Sequence, residues 1–306
     1  MVSQEKRVQQ YRPLQVLIPQ DWTTATATAN GIEQHYWRTG GRKPPLLLLH
    51  GFMEAGITWL RVARALAGDY DVILPDARFH GESESPAAGF SPELLRDDAA
   101  ALIEALDLDP PILVGRSNGA VTAALVAAQR PGLARAVALV EPPAGGMPRP
   151  AMSEEDLRQS NWFESWLRWA RSLGPMAHKE RLASLAARWP AGLPVPPDEP
   201  PWPEDDFVSY LAALARFDTG IFDLNPGYWS LLPYLEETAT IACPVVLLGG
   251  DVQMGSMVSD DVARQLLDGW AQGQMARIEG AGHLVSHGRA YERFMQALNR
   301  FLEQLS

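Results

Sequence analysis

Five residues constrain the fold of this chain more than any others: Gly115-Arg116-Ser117-Asn118-Gly119. They stand directly behind the apolar run Pro111-Ile112-Leu113-Val114 and directly before an alanine-rich stretch over residues 120–128. The run has the length and composition of a buried strand and the stretch that of a helix, so the pentad has to turn the chain from one into the other. A turn that tight leaves no room for a Cβ two residues before or after its centre, which is why glycine stands at both places. It also lifts the serine Oγ to the sheet edge and aims the first amides of the helix at it. A Gly-x-Ser-x-Gly alone recurs by chance in Ala/Gly-rich sequence. The strand-then-helix context separates a nucleophile from an ordinary turn.

The rest of the chain repeats that rhythm. Alternating residues at 24–29 and 32–38 flank Asn30-Gly31, a strong signal for a two-residue hairpin. Strands are then predicted at 46–49, 72–74, 112–114, 136–140, 245–248 and 274–278. Helices are predicted near 58–67, 92–106, after Ser117, near 260–271 and at 289–305. An antiparallel start followed by β-α repeats implies an α/β fold, with a mostly parallel eight-stranded sheet covered by helices on both faces.

One interval breaks the pattern. Residues 142–233 hold six of the ten tryptophans and fourteen of the twenty-five prolines, so this segment is composed unlike the sheet around it. Trp162, Trp166 and Trp169 share one helical face, and the prolines between 190 and 203 are too dense for helix or strand. The expected organisation is a core of residues 1–141 and 234–306 with a helical cap of residues 142–233 inserted after the strand ending at Val140. The tryptophan stripe packs the cap on the core, lines a substrate pocket with Trp162 and Trp166, or does both. Met53 is the expected substrate contact on the core side.

Bulk properties narrow the partners. A net charge of −11 argues against a nucleic-acid surface and against docking on anionic lipid. The single cysteine, Cys243, rules out an intramolecular disulfide and fits a reducing cytoplasm. Residues 1–13 are polar and lack the apolar core of a signal peptide, and the longest apolar runs are strand-sized. The expectation is a cytoplasmic protein acting on a small molecule, its oligomeric state left open. Scattered histidines and one cysteine point to no metal site, and no phosphate-binding glycine loop is visible, so no cofactor is expected.

Ser117 needs a base, an acid and oxyanion donors. In this strand–elbow–helix arrangement the histidine comes last in the chain, which leaves His283 and His287. His283 sits in Gly280-Ala281-Gly282-His283, where small neighbours let the imidazole reach across to a serine on another strand. His287 is expected to be solvated or to cap a helix. The oxyanion amides are expected at Asn118, directly after the nucleophile, and at Phe52, in the loop after strand 46–49, with His50 holding that loop.

With His50-Gly51-Phe52, Asp76 to Ser83, the Ser117 pentad and Gly280 to His283 in this order, the chain resembles the α/β-hydrolase superfamily over nearly its whole length. That resemblance implies an α/β-hydrolase fold with structural roles for Asp76, Arg78 and His80. Such proteins usually carry glycine where this chain has Phe79, which implies a differently shaped turn. Two carboxylates compete for the acid. Asp251, after strand 245–248, is the usual placement, but the acid there normally precedes a Val-Pro-like step by about three residues and the matching place holds Gly255. Glu141 follows Ser117 by 24 residues, a spacing similar to haloalkane dehalogenases and zearalenone-type lactonases, and is the expected acid, with Asp251 the alternative. Otherwise Glu141 is a cap hinge, or Asp251 a loop hydrogen-bonder.

The chemistry these residues imply is acyl transfer: hydrolysis of a carboxylic ester or lactone of a small, largely apolar substrate held under the cap. A carbon–carbon bond hydrolase, a thioesterase or a perhydrolase would use the same residues. Epoxide or carbon–halogen opening on this fold uses an aspartate nucleophile, which Ser117 replaces. From a different class, the chain could be a ligand-binding receptor that keeps the fold without turnover.

Overall fold

The computed structural model describes residues 12–143, 202–224, 238 and 240–305, with single positions at 172, 176, 180 and 184. Trp162, Trp166 and most of the interval expected to form the cap lie outside the described residues.

The sheet opens with a hairpin, β1 (Thr23–Ala29) and β2 (Ile32–Arg38), in which Ala29 faces Ile32 across Asn30-Gly31. Both turn residues take positive φ, 48° at Asn30 and 76° at Gly31, as a turn matching the right-handed twist of its strands requires. Next come β3 (Pro45–Leu49), β4 (Asp71–Pro75), β5 (Ile112–Arg116), β6 (Ala136–Val140), β7 (Val245–Gly249) and β8 (Gly273–Arg277). The eight strands form one sheet in the order β1-β2-β4-β3-β5-β6-β7-β8, parallel from β4 to β8. The sheet order reverses at β3, with β4 on one side and β5 on the other. Crevices at such a reversal, at the carboxyl ends of the strands, are where open α/β sheets bind ligands.

The period of two along each strand sorts the core into two layers. Leu47, Leu113, Val137, Leu139 and Val245 face one way, and Leu46, Leu48, Val114, Ala138 and Val246 the other. Helices fill both faces. α2 (Pro92–Ala105) and α3 (Asn118–Gln129) cover the first, α1 (Leu60–Leu66) and α6 (Tyr291–Glu303) the second. Central strands buried on both faces explain why the sequence shows continuous apolar runs there. α5 (Asp260–Gly269) adds Ala263 and Leu266 to the first layer.

The helix α4 (Glu204–Arg216) falls inside the interval assigned to the cap, yet it packs on the core beside Gly56–Trp59 and α1. Phe207, Tyr210 and Leu214 join the first layer, while Ala212 and Ala213 join the second. Its acidic first turn meets arginines of the core, with Asp206 on Arg61 at 3.3 Å and Asp205 on Arg64.

Candidate active site

Ser117 follows β5 directly and opens α3 with φ 52° and ψ −119°. Left-handed backbone costs a non-glycine residue on the order of 1–3 kcal/mol and persists only where its surroundings over-determine it. Two glycines supply that determination. A Cβ at Gly115 would lie 2.1 Å from the Gly119 carbonyl oxygen, and a Cβ at Gly119 would lie 2.2 Å from the Leu49 carbonyl oxygen. The pentad therefore lets the strand touch the helix, and the helix touch the end of β3. The Ser117 amide donates to the Val140 carbonyl at 2.8 Å, which pins the turn to the end of β6.

The next residue after Val140 is Glu141, also left-handed at φ 52° and fully buried. Its Oε1 accepts from the Gly250 amide and the Ser256 hydroxyl, each at 2.6 Å. Its Oε2 accepts from the Met257 amide at 2.7 Å and faces His283 Nδ1 at 3.3 Å. A carboxylate bonded in this way only accepts, so His283 carries its proton on Nδ1. Asp251 lies alongside but is engaged elsewhere: its carboxylate takes the Gly280 amide at 2.6 Å, and its own amide donates to Ala281 O at 2.6 Å. Gly282 fits only because it has no side chain, since a Cβ there would lie 2.1 Å from the Met254 carbonyl. Asp251 thus fastens the loop on which His283 sits, while Glu141 meets the ring.

The loop after β3 is held from several sides. His50 donates from Nδ1 to Gly51 O at 2.7 Å and accepts the Ala77 amide on Nε2 at 2.9 Å. The Gly51 amide donates to Glu54 at 2.9 Å, and the Met53 amide to His80 Nε2 at 3.1 Å. His80 donates from Nδ1 to Arg78 O at 2.7 Å. Both imidazoles are therefore neutral: burial lowers the pKa of His50, and burial followed by the neighbouring His50 takes that of His80 down to about 3. The Phe52 amide stands between two amides committed to the interior. Its ring packs edge-on to Phe90, Phe217 and Phe222 at 5.2–6.0 Å. Met53 is left-handed at φ 62° and its side chain is buried in the first core layer.

Phe79, in the turn after β4, takes φ 64°, in the left-handed region that glycine favours. Burial of its ring beside Phe90 holds it there. His287 is not solvated. It is 2% exposed, stacks on Trp202 at 5.1 Å and makes no side-chain cap, because it is enclosed by α4 and the Gly56–Trp59 turn. Asp76, Arg78 and His80 are all buried and hydrogen-bonded, with Arg78 forked onto Asp98 at 2.6 Å on both sides. The sequence reading missed Glu54, Arg116, Ser256 and Ser286, each of which is buried. Nothing local marks them, because their importance lies in partners distant along the chain.

Among the described residues, no group of three or more metal-ligating side chains gathers, and no helix is long and apolar enough to cross a membrane.

Comparison with known proteins agrees with the topology. The soluble epoxide hydrolase of a Corynebacterium species is 38% identical over 93 residues, which is 30% of this chain and 32% of that protein. The N-formylmaleamate deformylase of Pseudomonas putida is 42% identical over 126 residues, 40% of this chain and 47% of that protein. The chain thus matches less than half the length of these curated relatives. The enol-lactonase from Burkholderia xenovorans LB400 has the same fold, with a TM-score of 0.68 at 20% identity over 91% of this chain and 100% of that one. The family model of the alpha/beta hydrolase fold matches residues 44–290, which includes every strand from β3 to β8. The protein is a member of the α/β-hydrolase family.

Proposed function

We propose that this protein is a serine hydrolase that cleaves a carboxylic ester or lactone of a small, largely apolar substrate. Ser117 is the nucleophile, His283 the base and Glu141 the acid. The amides of Phe52 and Asn118 form the oxyanion hole, and residues 142–233 cap the pocket. The observation that carries this reading is the contact between His283 and a fully buried Glu141, directly behind the strand end that binds the Ser117 amide. In the reaction His283 takes the Ser117 proton as Oγ attacks the carbonyl carbon. The tetrahedral oxyanion collapses to an acyl-enzyme as the protonated imidazole gives its proton to the leaving oxygen. Water, deprotonated by the same imidazole, then releases the acid and restores Ser117. Glu141 supports this cycle by keeping the Nδ1 proton in place and balancing the imidazolium charge.

A second acyl group has its own support. The relative that is 42% identical over 126 residues is a deformylase of N-formylmaleamate. An N-formyl amide would pass through the same steps with a formyl-enzyme and an amide leaving group.

Turnover of a panel of p-nitrophenyl esters, lactones and N-formyl amides tests both readings. Ser117→Ala is expected to remove turnover by about 10³-fold or more and to abolish labelling by a serine-reactive phosphonate. If neither wild type nor variant turned over any member of the panel or took the label, the fold would be serving as a ligand-binding receptor.

A further inference from the structure

Arg116, the second residue of the pentad, is completely buried. Its Nη2 donates to Glu54 Oε2. Its Nη1 donates to Ser286 Oγ at 2.7 Å and His287 Nδ1 at 2.5 Å. A guanidinium can only donate, so His287 Nδ1 is the acceptor there. Nε2 of His287 then carries the proton and donates to the Thr58 carbonyl at 3.2 Å. Glu54 Oε2 also accepts the Gly51 amide at 2.9 Å, one residue before Phe52. Ser286 and His287 lie three and four residues beyond His283. One side chain therefore ties together the nucleophile's strand, the loop carrying Phe52 and the loop carrying His283.

Stability alone does not account for this cluster. A buried ion pair gains little over an apolar replacement of the same shape. Arg116 Nε has no acceptor among the described residues, which itself costs stability. The Trp59 ring lies 5.1 Å from the guanidinium carbon, a cation–π contact that supplies no acceptor for Nε. What the arrangement does supply is geometry, since a planar fork holds its partners in fixed directions.

We propose that Arg116 and Glu54 are positioning residues for acyl transfer. The pair fixes the Gly51–Phe52 peptide relative to Ser117 so that the oxyanion donor stands ready, and Ser286 and His287 extend the restraint to the base loop. This rests on the serine-hydrolase reading above.

Glu54→Gln combined with Arg116→Met removes both buried charges together and keeps an acceptor for the Gly51 amide, so the variant is expected to fold. Arg116→Lys retains the charge without the fork and is the second variant. In the double variant kcat is expected to fall on the order of 100-fold while KM stays within about threefold. Affinity for a phenyl trifluoromethyl ketone, whose serine adduct bears an oxyanion, should fall in parallel. The lysine variant should lie between the double variant and wild type. Hydrogen exchange supplies a readout independent of turnover: amides over residues 50–54 should exchange at least about tenfold faster, with β4 unchanged. A folded double variant with kcat near wild type, or with unaltered exchange over 50–54, overturns the proposal. If wild type shows no Ser117-dependent turnover, the serine-hydrolase reading fails, and the exchange result still decides whether the pair holds the loop.

Discussion

Glu141 and Asp251 end neighbouring strands, and hydrogen-bond chemistry separates them at the level of single atoms. Both oxygens of Glu141 are already taken by donors. In Glu141→Gln, the new NH2 must therefore meet a donor whichever way the amide turns. The expected result is a kcat loss of about 10³–10⁴-fold, as for a triad acid converted to its amide. Asp251→Asn keeps an oxygen for the Gly280 amide, so its loss should be roughly tenfold or less. Steady-state kinetics of the two variants decide between them, and the reverse order would move the acid to Asp251. Ser117 and His283 were legible at this scale because each is announced by its immediate neighbours, glycines that a tight turn or a close loop contact requires. Glu54 and Arg116 were not, because a buried charge acquires its meaning from a partner 62 residues away.

Among the elements, the turn after β4 shows how short motifs are locked by distant ones. Arg78 forks onto Asp98 of α2 and donates to Gly89 O at 3.0 Å, while Asn30 of the β1–β2 hairpin reaches Asp98 at 2.8 Å. Arg78→Met would leave Asp98 buried without its cation, and urea unfolding should register a loss of about 3–5 kcal/mol. A loss below about 1 kcal/mol, the usual worth of an exposed ion pair, would show that Asp98 finds water instead. Strand and helix positions were readable because periods of two and 3.6 are properties of a segment alone. The docking of α4 was not. Pro203 and three acidic residues mark a helix start, but an apolar face does not say which surface will cover it.

For the whole molecule, buried imidazoles set the response to acid. His50, His80 and His287 are each lowered from 6.5, first by burial. Unfolding frees them to take protons near pH 6.5, so their contribution is complete above that pH and is lost as pH falls toward the folded values, about 3 for His80. Asp206 opposes them. Burial raises its carboxyl from 3.8 to about 6, so its protonated form favours the fold below that window and the benefit fades as pH rises through it. Among the described residues, three imidazoles against one carboxyl predict an unfolding free energy that falls between about pH 7 and 5. His80→Gln should flatten that fall, and Asp206→Asn should steepen it below about pH 6; stability that rises on acidification, measured by urea titration, would contradict the balance. At this scale the sequence by itself determined the α/β architecture, the strand-to-helix elbow at Ser117 and the loop of His283, because backbone sterics and hydrophobic period are local. Only the tertiary structure decided that Glu141 rather than Asp251 meets His283, and that Arg116, Glu54, Ser286 and His287 gather beneath the elbow. Those contacts depend on which strand ends the sheet order brings together, and neighbours along the chain do not encode that order.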